Sequence, residues 1–401
     1  MANNSFLPYG RQLVDENDIR SVERVLKSDY LTTGPATDEF EARLAETTGA
    51  KYAICVSSGT AALHLSAVLL GLGPGDVVVV PTITFVATAN VARYVGADVI
   101  FSDVDPETGL MRPEDLIQAL KRAEGKAKAI FPVHLAGQCP DMSEITDIAE
   151  RNKLVIVEDA SHAIGTTYKI GDEKYMVGSC ANSDMTIFSF HSVKTIAMGE
   201  GGAVTTNDKS FADRLKRLRS HGVERTSTSF KNVDSAFTEK GVPNPWYYEM
   251  QELGFNYRLS DIHCALGLSQ LNKLDQFVSR RRHLVRLYDK TIKEMDLIIR
   301  PLGRSPDCDP AWHLYIALID FGVANITRAR LMLNLRQLGI GTQVHYIPVH
   351  RQPYYENTNL LNLPGAETYY KKCLSLPLFP GMDDTDVERV CNKIGSLLSA
   401  D

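Results

Sequence analysis

Short apolar runs recur through the first half of the chain, and segments with helical periodicity lie between them. The runs cover residues 52–58, 77–81, 98–104, 129–134, 154–160, 185–190 and 201–207. Helical periodicity is clearest at 61–70 and 142–153. Apolar runs that are separated by helices in this way are typical of a largely parallel sheet covered on both faces. The sequence therefore predicts an α/β fold.

The length of the chain and a change of pattern after Gly267 predict two domains. The chain has 401 residues, whereas single cores rarely grow beyond ~250 to 300 residues. A long charged helix is predicted over 268–295, and shorter strands and helices follow, ending in a helix over 385–398. We therefore expect a large α/β domain with an N-terminal arm over 1–275 and a smaller α+β domain over 276–401. Two further helices are predicted over 15–26, with Asp15 as N-cap, and over 38–48.

The charge balance argues against a nucleic-acid partner. The formal net charge is −6, whereas proteins that bind nucleic acid usually carry a basic excess. The conspicuous basic run at 280–283 is interpreted as a solvated helix face or an interface.

The cysteines and the apolar segments indicate the cellular compartment of the protein. The seven cysteines are scattered and form no C-x-x-C pair, which is typical of reduced thiols in the cytosol. No secretory leader is recognisable at the start of the sequence. The most apolar stretch, 77–101, contains Pro81, Arg93 and Asp98 and so does not read as a transmembrane span. We expect a cytoplasmic protein without a membrane partner.

The commonest phosphate and metal motifs do not occur. The segment GLGPGD at 71–76 lacks the spacing of G-x-G-x-x-G, and no G-x-x-x-x-G-K-[ST] motif is found. The chain has neither H-E-x-x-H nor a clustered Cys/His set, and HYIPVH at 345–350 lacks obvious partners. A nicotinamide, P-loop or metal site is therefore not expected.

One segment has the pattern of an anion site at a helix N-terminus. In CVSSGTAALHL, residues 55–65, a strand ends in two serines and a glycine, and Thr60 opens an Ala/Leu-rich helix. Gly59 lets the backbone approach a ligand closely, and the N–H groups and dipole of the helix N-terminus favour an anion such as phosphate. The alternative, a simple Ser/Thr helix cap, explains the same residues equally well.

A second segment places acidic residues at the end of a predicted strand. LVIVEDASHAIG, residues 154–165, has Glu158 and Asp159 at the strand's carboxyl end, where open α/β sheets bind ligands. A partly desolvated carboxylate there is costly without a cationic partner, and a protonated pyridine nitrogen would supply one. The alternative is that the acidic residue only caps the next helix.

Lys194 lies between two apolar runs, which argues against a solvent-exposed position for its side chain. A lone lysine is more often a solvated surface group, but TIFSF precedes this one and Gly201 and Gly202 follow it. A desolvated lysine loses its charge readily and becomes a nucleophile that can form a Schiff base. An anion site, an acid for a ring nitrogen and a lysine for an aldehyde together indicate pyridoxal 5'-phosphate.

The order of motifs resembles a known family. The segments are SSGTAALHL (57–65), TITFVATAN (82–90), EDASHAIG (158–165), SFHSVKTIAMGEGGAVTTN (189–207), RSHG (219–222) and GFNYRLSDIHCALGLSQL (254–271). Over nearly its whole length the chain is similar to the DegT/StrS-type nucleotide-sugar aminotransferases. The resemblance implies the pyridoxal phosphate fold type I, like aspartate aminotransferase. Within the family, PWYYEMQELGFNYRLSD (245–261), HLYIALI (313–319) and QVHYIPVH (343–350) most resemble the PseC-type enzymes of pseudaminic acid synthesis.

That resemblance implies an activity and an assembly. PseC-type enzymes transfer an amino group from L-glutamate to C4 of a UDP-linked 4-keto-6-deoxy-N-acetylhexosamine in a ping-pong reaction. They are homodimers whose active site is shared between subunits. Some relatives with the same fold dehydrate sugars and carry a histidine in place of the cofactor lysine, and Lys194 argues against that branch.

The resemblance also implies roles for individual residues. Lys194, Asp159 and His162 are the expected catalytic residues: Lys194 forms the Schiff base and moves the proton, Asp159 pairs with the ring nitrogen, and His162 lies on the hydroxyl side of the ring. The expected cofactor-binding residues are these three and Gly59, Thr60, Phe85, Ser189 and, from the neighbouring subunit, Asn256. The expected substrate contacts are Tyr9, Thr32, Gly34, Arg258, His313, Tyr315 and Tyr346.

Plainer interpretations of some of these residues stay open. Phe85, Tyr315 and Tyr346 are also explained as ordinary core or rim aromatics, which is the commoner role. His162 is also explained by a local hydrogen bond, and Asn256 by a turn. An aminotransferase acting at C3, or on a dTDP or GDP sugar, would share every cofactor residue, and a protein that binds sugar nucleotides without turnover is a further alternative.

Overall fold

The computed structural model describes residues 6–295, 298–358 and 361–399. Its α-helices are α1 (Glu16–Leu26), α2 (Pro35–Thr48), α3 (Gly59–Leu69), α4 (Val86–Tyr94), α5 (Pro113–Arg122), α6 (Met142–Asn152), α7 (Lys209–Leu218), α8 (Val233–Ala236), α9 (Asp261–Leu271), α10 (Leu274–Glu294), α11 (Arg328–Gln337), α12 (Pro364–Lys372) and α13 (Asp384–Leu398). Within these ranges no helix is both long enough and apolar enough to cross a membrane.

The strands follow the same chain order. They are β1 (Tyr52–Val56), β2 (Val77–Pro81), β3 (Asp98–Ser102), β4 (Ala127–Ile130), β5 (Val155–Asp159), β6 (Thr167–Ile170), β7 (Glu173–Met176), β8 (Met185–Ser189), β9 (Gly202–Thr206), β10 (Val223–Glu224), β11 (Glu249–Met250), β12 (Ile299–Pro301), β13 (Cys308–Asp309), β14 (Tyr315–Ile319) and β15 (Cys373–Leu376).

A seven-stranded sheet forms the centre of the larger part of the molecule. Its order is β1-β9-β8-β5-β4-β2-β3, and each of the seven predicted apolar runs supplies one strand. The pairs β8-β5, β5-β4, β4-β2 and β2-β3 are parallel, while β9 runs antiparallel to both of its neighbours. All five residues of β2 and of β9 are buried, because helices cover both faces. The predicted α/β architecture is confirmed.

A smaller sheet, β12-β14-β15, lies in the C-terminal part. Its inner residues share one apolar cluster with α10, α11 and α13. The predicted boundary near residue 275 coincides with the start of α10. We keep the division into 1–275 and 276–401 as a proposal, since strand β13 from the second range pairs with β6 from the first.

The predicted N-cap and the closing helix are confirmed, but the long central helix is wrong in its bounds. Asp15 caps α1 by accepting hydrogen bonds from Asn17 N and Asp18 N. The predicted helix 268–295 is instead two helices, because Ser260 caps an earlier start at Asp261 and the helical run breaks at residues 272–273. The apolar pattern continues across the break because both helices pack into the same core.

The interpretation of the basic run as a solvated face is wrong for Arg281. Its side chain is fully buried, and its guanidinium donates to the backbone carbonyls of Trp312, His313 and Leu378. Desolvation lowers the pKa of Arg281 to about 10. Arg280 and Arg282 do form ion pairs nearer the surface, because successive residues on a helix point to different faces.

Candidate active site

A cavity of about 560 Å³ opens where several segments of the chain meet. They include the N-terminus of α3, the connection between β2 and α4, the end of β5, the connection between β8 and β9, and residues 343–347. The residues predicted from the sequence that line it are Gly59, Thr60, Phe85, Asp159, His162, Ser189, Lys194, Tyr9, His313 and Tyr346. The fold thus brings together groups that lie up to 337 positions apart, from Tyr9 to Tyr346.

A wider depression of about 1150 Å³ lies elsewhere, between α1, α2 and α9. It is open, and arginines and glutamates such as Arg24 and Glu39 are mixed along its walls. None of the predicted site residues lines it. The smaller cavity is therefore the candidate active site.

The N-terminus of α3 presents its first N–H groups to the cavity. Ser58 caps the helix by accepting a hydrogen bond from Ala61 N, and N–H groups of a first helical turn have no acceptor within the helix. Two glycines bring the neighbouring strands close to this terminus. A Cβ on Gly59 would lie 2.9 Å from Ser189 Cβ, and a Cβ on Gly202 would lie 2.3 Å from Ser58 O. The two glycines therefore let β8 and β9 approach the N-terminus of α3, with the Ser189 side chain beside it, and the anion site there stays a prediction.

Asp159 ends β5 with its carboxylate held by neighbouring donors. Thr88 Oγ1 donates to Oδ2 over 2.7 Å, while Ser161 donates to Oδ1 through its hydroxyl over 2.6 Å and through its N–H over 3.1 Å. Asp159 is only 6% exposed, and it lines the cavity. The carboxylate is therefore available to a cationic group of a ligand in the cavity.

Glu158 points away from the cavity into a separate buried network. Its carboxylate pairs with His134 Nε2 over 2.6 Å and accepts hydrogen bonds from Ser183 and, over 3.0 Å, from Thr186. Successive residues of a strand face opposite sides of the sheet, so Glu158 and Asp159 have different environments. Of the two acidic residues in the motif, only Asp159 belongs to the site.

Lys194 lies in the connection between β8 and β9, and its side chain reaches the cavity. Its backbone N–H donates to His191 O over 2.8 Å. Burial lowers the pKa of the Lys194 ammonium to about 8, and the negative charge of Asp159 acts in the opposite direction. Both side chains line the same cavity. Lys194 is thus an amine that releases its proton at a lower pH than an exposed lysine does.

Three histidines and a tyrosine form the opposite wall. Tyr346 OH lies 3.1 Å from His162 Nε2, and the rings of His162 and His313 are 4.5 Å apart. His345 Nδ1 lies 2.8 Å from Ser375 Oγ. Burial lowers the pKa of all three imidazoles, that of His345 to about 3, and the charge of Lys194 adds to each shift. These histidines are therefore neutral at neutral pH.

Five predicted residues do not line the cavity of their own chain. Tyr315 is 2% exposed in β14, donates to Asp289 Oδ1 over 2.9 Å and stacks on Tyr288. This position is that of a core aromatic, so the expected substrate contact of Tyr315 is not supported. Its strand alternates between faces, and the sequence did not show which face meets the cavity.

The other four lie together on the surface of the molecule. Arg258 donates to Ser220 Oγ over 3.1 Å, and the backbone of Ser220 forms a bridge with the exposed Asn256. Thr32 forms a backbone bridge with Ser260, and Gly34 N donates to Asp261 Oδ1 over 2.9 Å. We name the set Thr32, Gly34, Asn256 and Arg258 the surface group.

Sequence reasoning missed several residues of the site. His345 lines the cavity next to Tyr346, but the segment QVHYIPVH predicted a role for Tyr346 alone. Thr84 and Thr88 lie in the motif TITFVATAN, and Ser161 lies in EDASHAIG, so the motifs contained them without indicating a role. These residues could have been found because each lies in the same motif as a residue that was predicted to belong to the site.

The lowered pKa of Lys194 predicts a pH dependence of stability in the cofactor-free protein. A lysine whose pKa falls from 10.5 to about 8 on folding binds fewer protons in the folded state between these values. Its unfavourable contribution is full below about pH 8 and disappears as the pH rises toward 10.5. Relative to Lys194→Met, the wild-type free energy of unfolding should rise by about 2 kcal/mol between about pH 7 and pH 9.5.

Chemical denaturation of both proteins at the two pH values measures this difference. The variant removes the titrating amine and keeps an apolar chain of similar length, so other titrating groups cancel in the comparison. A difference between the two proteins that does not change with pH would contradict the lowered pKa.

Similarities to known proteins extend over almost the whole chain. The model of the DegT/DnrJ/EryC1/StrS aminotransferase family matches residues 12–395. The spore coat polysaccharide biosynthesis protein SpsC of Bacillus subtilis (strain 168) is 37% identical over 399 residues, which are 98% of this chain and 98% of that protein.

Solved structures are similar over almost the same span. The putative sugar aminotransferase Spr1654 of Streptococcus pneumoniae superposes with a TM-score of 0.86 at 29% identity, over 98% of this chain and 97% of that one. Its structures include a PLP form and a PMP form. PseC of Helicobacter pylori, an aminotransferase involved in the biosynthesis of pseudoaminic acid, has a TM-score of 0.85 at 26% identity, over 98% and 99% of the two chains.

Proposed function

The chain belongs to the DegT/DnrJ/EryC1/StrS aminotransferase family and is a sugar aminotransferase that depends on pyridoxal phosphate, and from this premise we propose its substrates. It transfers the amino group of L-glutamate to C4 of a UDP-linked 4-keto-6-deoxy-N-acetylhexosamine, in a route of the pseudaminic acid type. The observation that supports amino transfer most is the cavity shared by Lys194, Asp159 and the N-terminus of α3, and the resemblance of residues 245–261, 313–319 and 343–350 to PseC-type enzymes supports the sugar substrate.

The residues of the cavity fit the cofactor. The first turn of α3, with Gly59, Thr60 and the neighbouring Ser189, offers N–H groups and hydroxyls to a phosphate. Lys194 offers the amine, and Asp159 offers the carboxylate for the ring nitrogen. Pyridoxal phosphate, when bound, supplies an electron-accepting ring for the chemistry of the amino group.

Lys194 is the proposed acid and base. Its pKa of about 8 lies close to the pH of the cell, where a group both accepts and releases a proton readily. In the first half-reaction Lys194 Nζ would take the proton from Cα of the amino donor and pass it to the bound cofactor, and in the second it would take a proton from the cofactor and deliver it to C4 of the sugar. Asp159 would face the ring nitrogen, and the uncharged His162 would lie on the hydroxyl side of the ring, where it would add no competing charge.

The proposed active unit is a homodimer whose sites are shared. Lys194 is the only lysine or arginine among the described residues that line the cavity, yet L-glutamate and a UDP-sugar each carry two negative charges or more. The surface group contains Arg258 and Asn256 and faces outward. In the proposed two-fold dimer it reaches the neighbour's cavity, Asn256 at the phosphate and Arg258 at the sugar nucleotide.

A second candidate is amination of a different keto sugar nucleotide. The spore coat polysaccharide protein of Bacillus subtilis is more similar in sequence than the Helicobacter pylori enzyme. A dTDP- or GDP-linked sugar, or a 3-keto sugar, would use the same lysine and carboxylate. The walls formed by Tyr9, His313, His345 and Tyr346 would then select the sugar.

A substrate panel distinguishes the candidates. Purified protein is incubated with pyridoxal phosphate, L-glutamate and either a UDP- or a dTDP-linked 4-keto or 3-keto sugar, and NMR locates the new amine. We expect amination of the UDP-4-keto sugar at C4 with formation of 2-oxoglutarate. Amination only at C3, or only of dTDP sugars, would overturn the narrower assignment, and the absence of any product would overturn the glutamate-to-sugar reaction.

A further inference from the structure

Two buried threonine hydroxyls lie behind the carboxylate of Asp159. Thr84 is 2% exposed and lines the cavity, while Thr88 is fully buried one turn along in α4. Thr84 Oγ1 lies 2.8 Å from Thr88 Oγ1, which lies 2.7 Å from Asp159 Oδ2. The three groups form a continuous chain of hydrogen bonds from the cavity wall to the carboxylate.

The chemistry of the groups determines which of them donates in each of these hydrogen bonds. An ionised carboxylate only accepts, so Thr88 must give its single proton to Asp159. A competing acceptor, Phe85 O, is more distant at 3.3 Å. Since the Thr88 proton is used, Thr84 must donate to Thr88. Thr84 therefore donates to Thr88, and Thr88 donates to Asp159.

The carboxylate is held from both sides. Ser161 donates twice to Oδ1, and Thr88 donates to Oδ2. The Ser161 contacts are local in sequence, whereas Thr88 belongs to a different element and lies 71 positions away. Thr88 is therefore the contact that ties the rotation of the carboxylate to α4.

We infer that Thr88 is a positioning residue: its hydroxyl fixes the orientation in which Asp159 meets the ring nitrogen of the cofactor, and Thr84 supports that hydroxyl. The inference rests on the proposed role of Asp159. It requires no contact between Thr88 and the sugar, because Thr88 has no exposed surface.

The test uses Thr88→Val, which keeps the shape of the side chain and removes the hydroxyl. The variant lacks a hydrogen bond to a charged carboxylate. We therefore expect its cofactor-free form to bind pyridoxal phosphate about tenfold more weakly than the wild-type protein does. We expect kcat to fall by a similar factor while KM for the keto sugar stays unchanged. Thr88→Ser, which keeps the hydroxyl, should restore both values, and Thr84→Val should give a smaller loss.

Thr186→Val is the matched control. Thr186 is also fully buried, and its hydroxyl also donates to a buried carboxylate, that of Glu158, next to Asp159 in the chain. The control should lose thermal stability while its affinity for pyridoxal phosphate stays at the wild-type value. Affinity is measured by titrating the absorbance of the lysine-bound cofactor.

Wild-type affinity and kcat in Thr88→Val would overturn the inference, and so would equal losses in the valine and serine variants or in Thr186→Val. If Thr88→Val does not fold, Thr84→Val and Thr88→Ser still decide: wild-type affinity in Thr84→Val would contradict the chain of hydrogen bonds. These outcomes are separate from failure of the proposed function, because wild-type protein that binds no pyridoxal phosphate would refute the premise itself.

Discussion

Replacing Lys194 by alanine is expected to lower the rate of amino transfer by at least about 1,000-fold, because the variant loses both the amine that binds the cofactor and the group that moves the proton. The absorbance of the lysine-bound cofactor should disappear as well. Initial rates with L-glutamate and the keto sugar, measured beside absorbance spectra, check both parts of the expectation.

Lys209→Ala serves as the control for Lys194→Ala. Lys209 is an exposed lysine at the start of α7 that pairs with Asp213 one turn along the helix. Its removal should change neither the rate nor the spectrum, since exposed ion pairs of this kind contribute little. A Lys194→Ala protein that keeps a tenth or more of the wild-type rate would contradict the assignment of the nucleophile.

The second large effect is expected for Asp159→Asn, with a loss of about 100- to 1,000-fold in kcat, the range seen when one preorganised electrostatic contact is removed from an active site. An amide carries no charge to hold a proton on the ring nitrogen. The NH₂ group of the asparagine would also face a hydrogen-bond donor. That donor would be either the Thr88 hydroxyl or the hydroxyl and backbone N–H of Ser161. Steady-state kinetics with saturating cofactor measure the loss.

Glu158→Gln is the matched comparison, because Glu158 is a buried carboxylate one residue earlier whose side chain belongs to the His134 network. This variant should lose stability, since an unpaired polar group is left buried, while kcat of the folded, cofactor-loaded protein stays within a few-fold of wild type. Equal losses of kcat in the two variants would show that strand β5, and not the Asp159 carboxylate, is what the reaction needs.

Much of the fold was predictable because it is encoded locally. All seven runs that were interpreted as strands pair in one sheet, since near-continuous Val and Ile residues are buried on both faces of a parallel sheet. The N-cap at Asp15 was predicted from neighbouring residues alone. The break between α9 and α10 was missed because the apolar spacing persists on both sides of it.

Single side chains were harder to place. Arg281 was grouped with a surface run, but the helix turns it inward, where three backbone carbonyls replace water as acceptors. Tyr315 was expected at the substrate, but its buried ring stacks on Tyr288 and its hydroxyl donates to Asp289. In both cases the position of the side chain depends on hydrogen-bond partners that are distant in the sequence. A local sequence pattern does not contain that information.

The order of motifs was sufficient by itself to indicate the family, the cofactor and the pairing of a lysine with an acidic residue, because each motif combines a backbone shape with one reactive side chain. The resemblance already assigned the ring nitrogen to Asp159, but only the tertiary structure showed that Glu158 points into a separate network, that Thr88 lies behind the Asp159 carboxylate, and that His345 lines the cavity. The same structure separated Asn256 and Arg258 from the cavity of their own chain. The physical reason is that burial, desolvation and hydrogen bonding depend on which distant segments pack together, and this is settled only when the whole chain has folded.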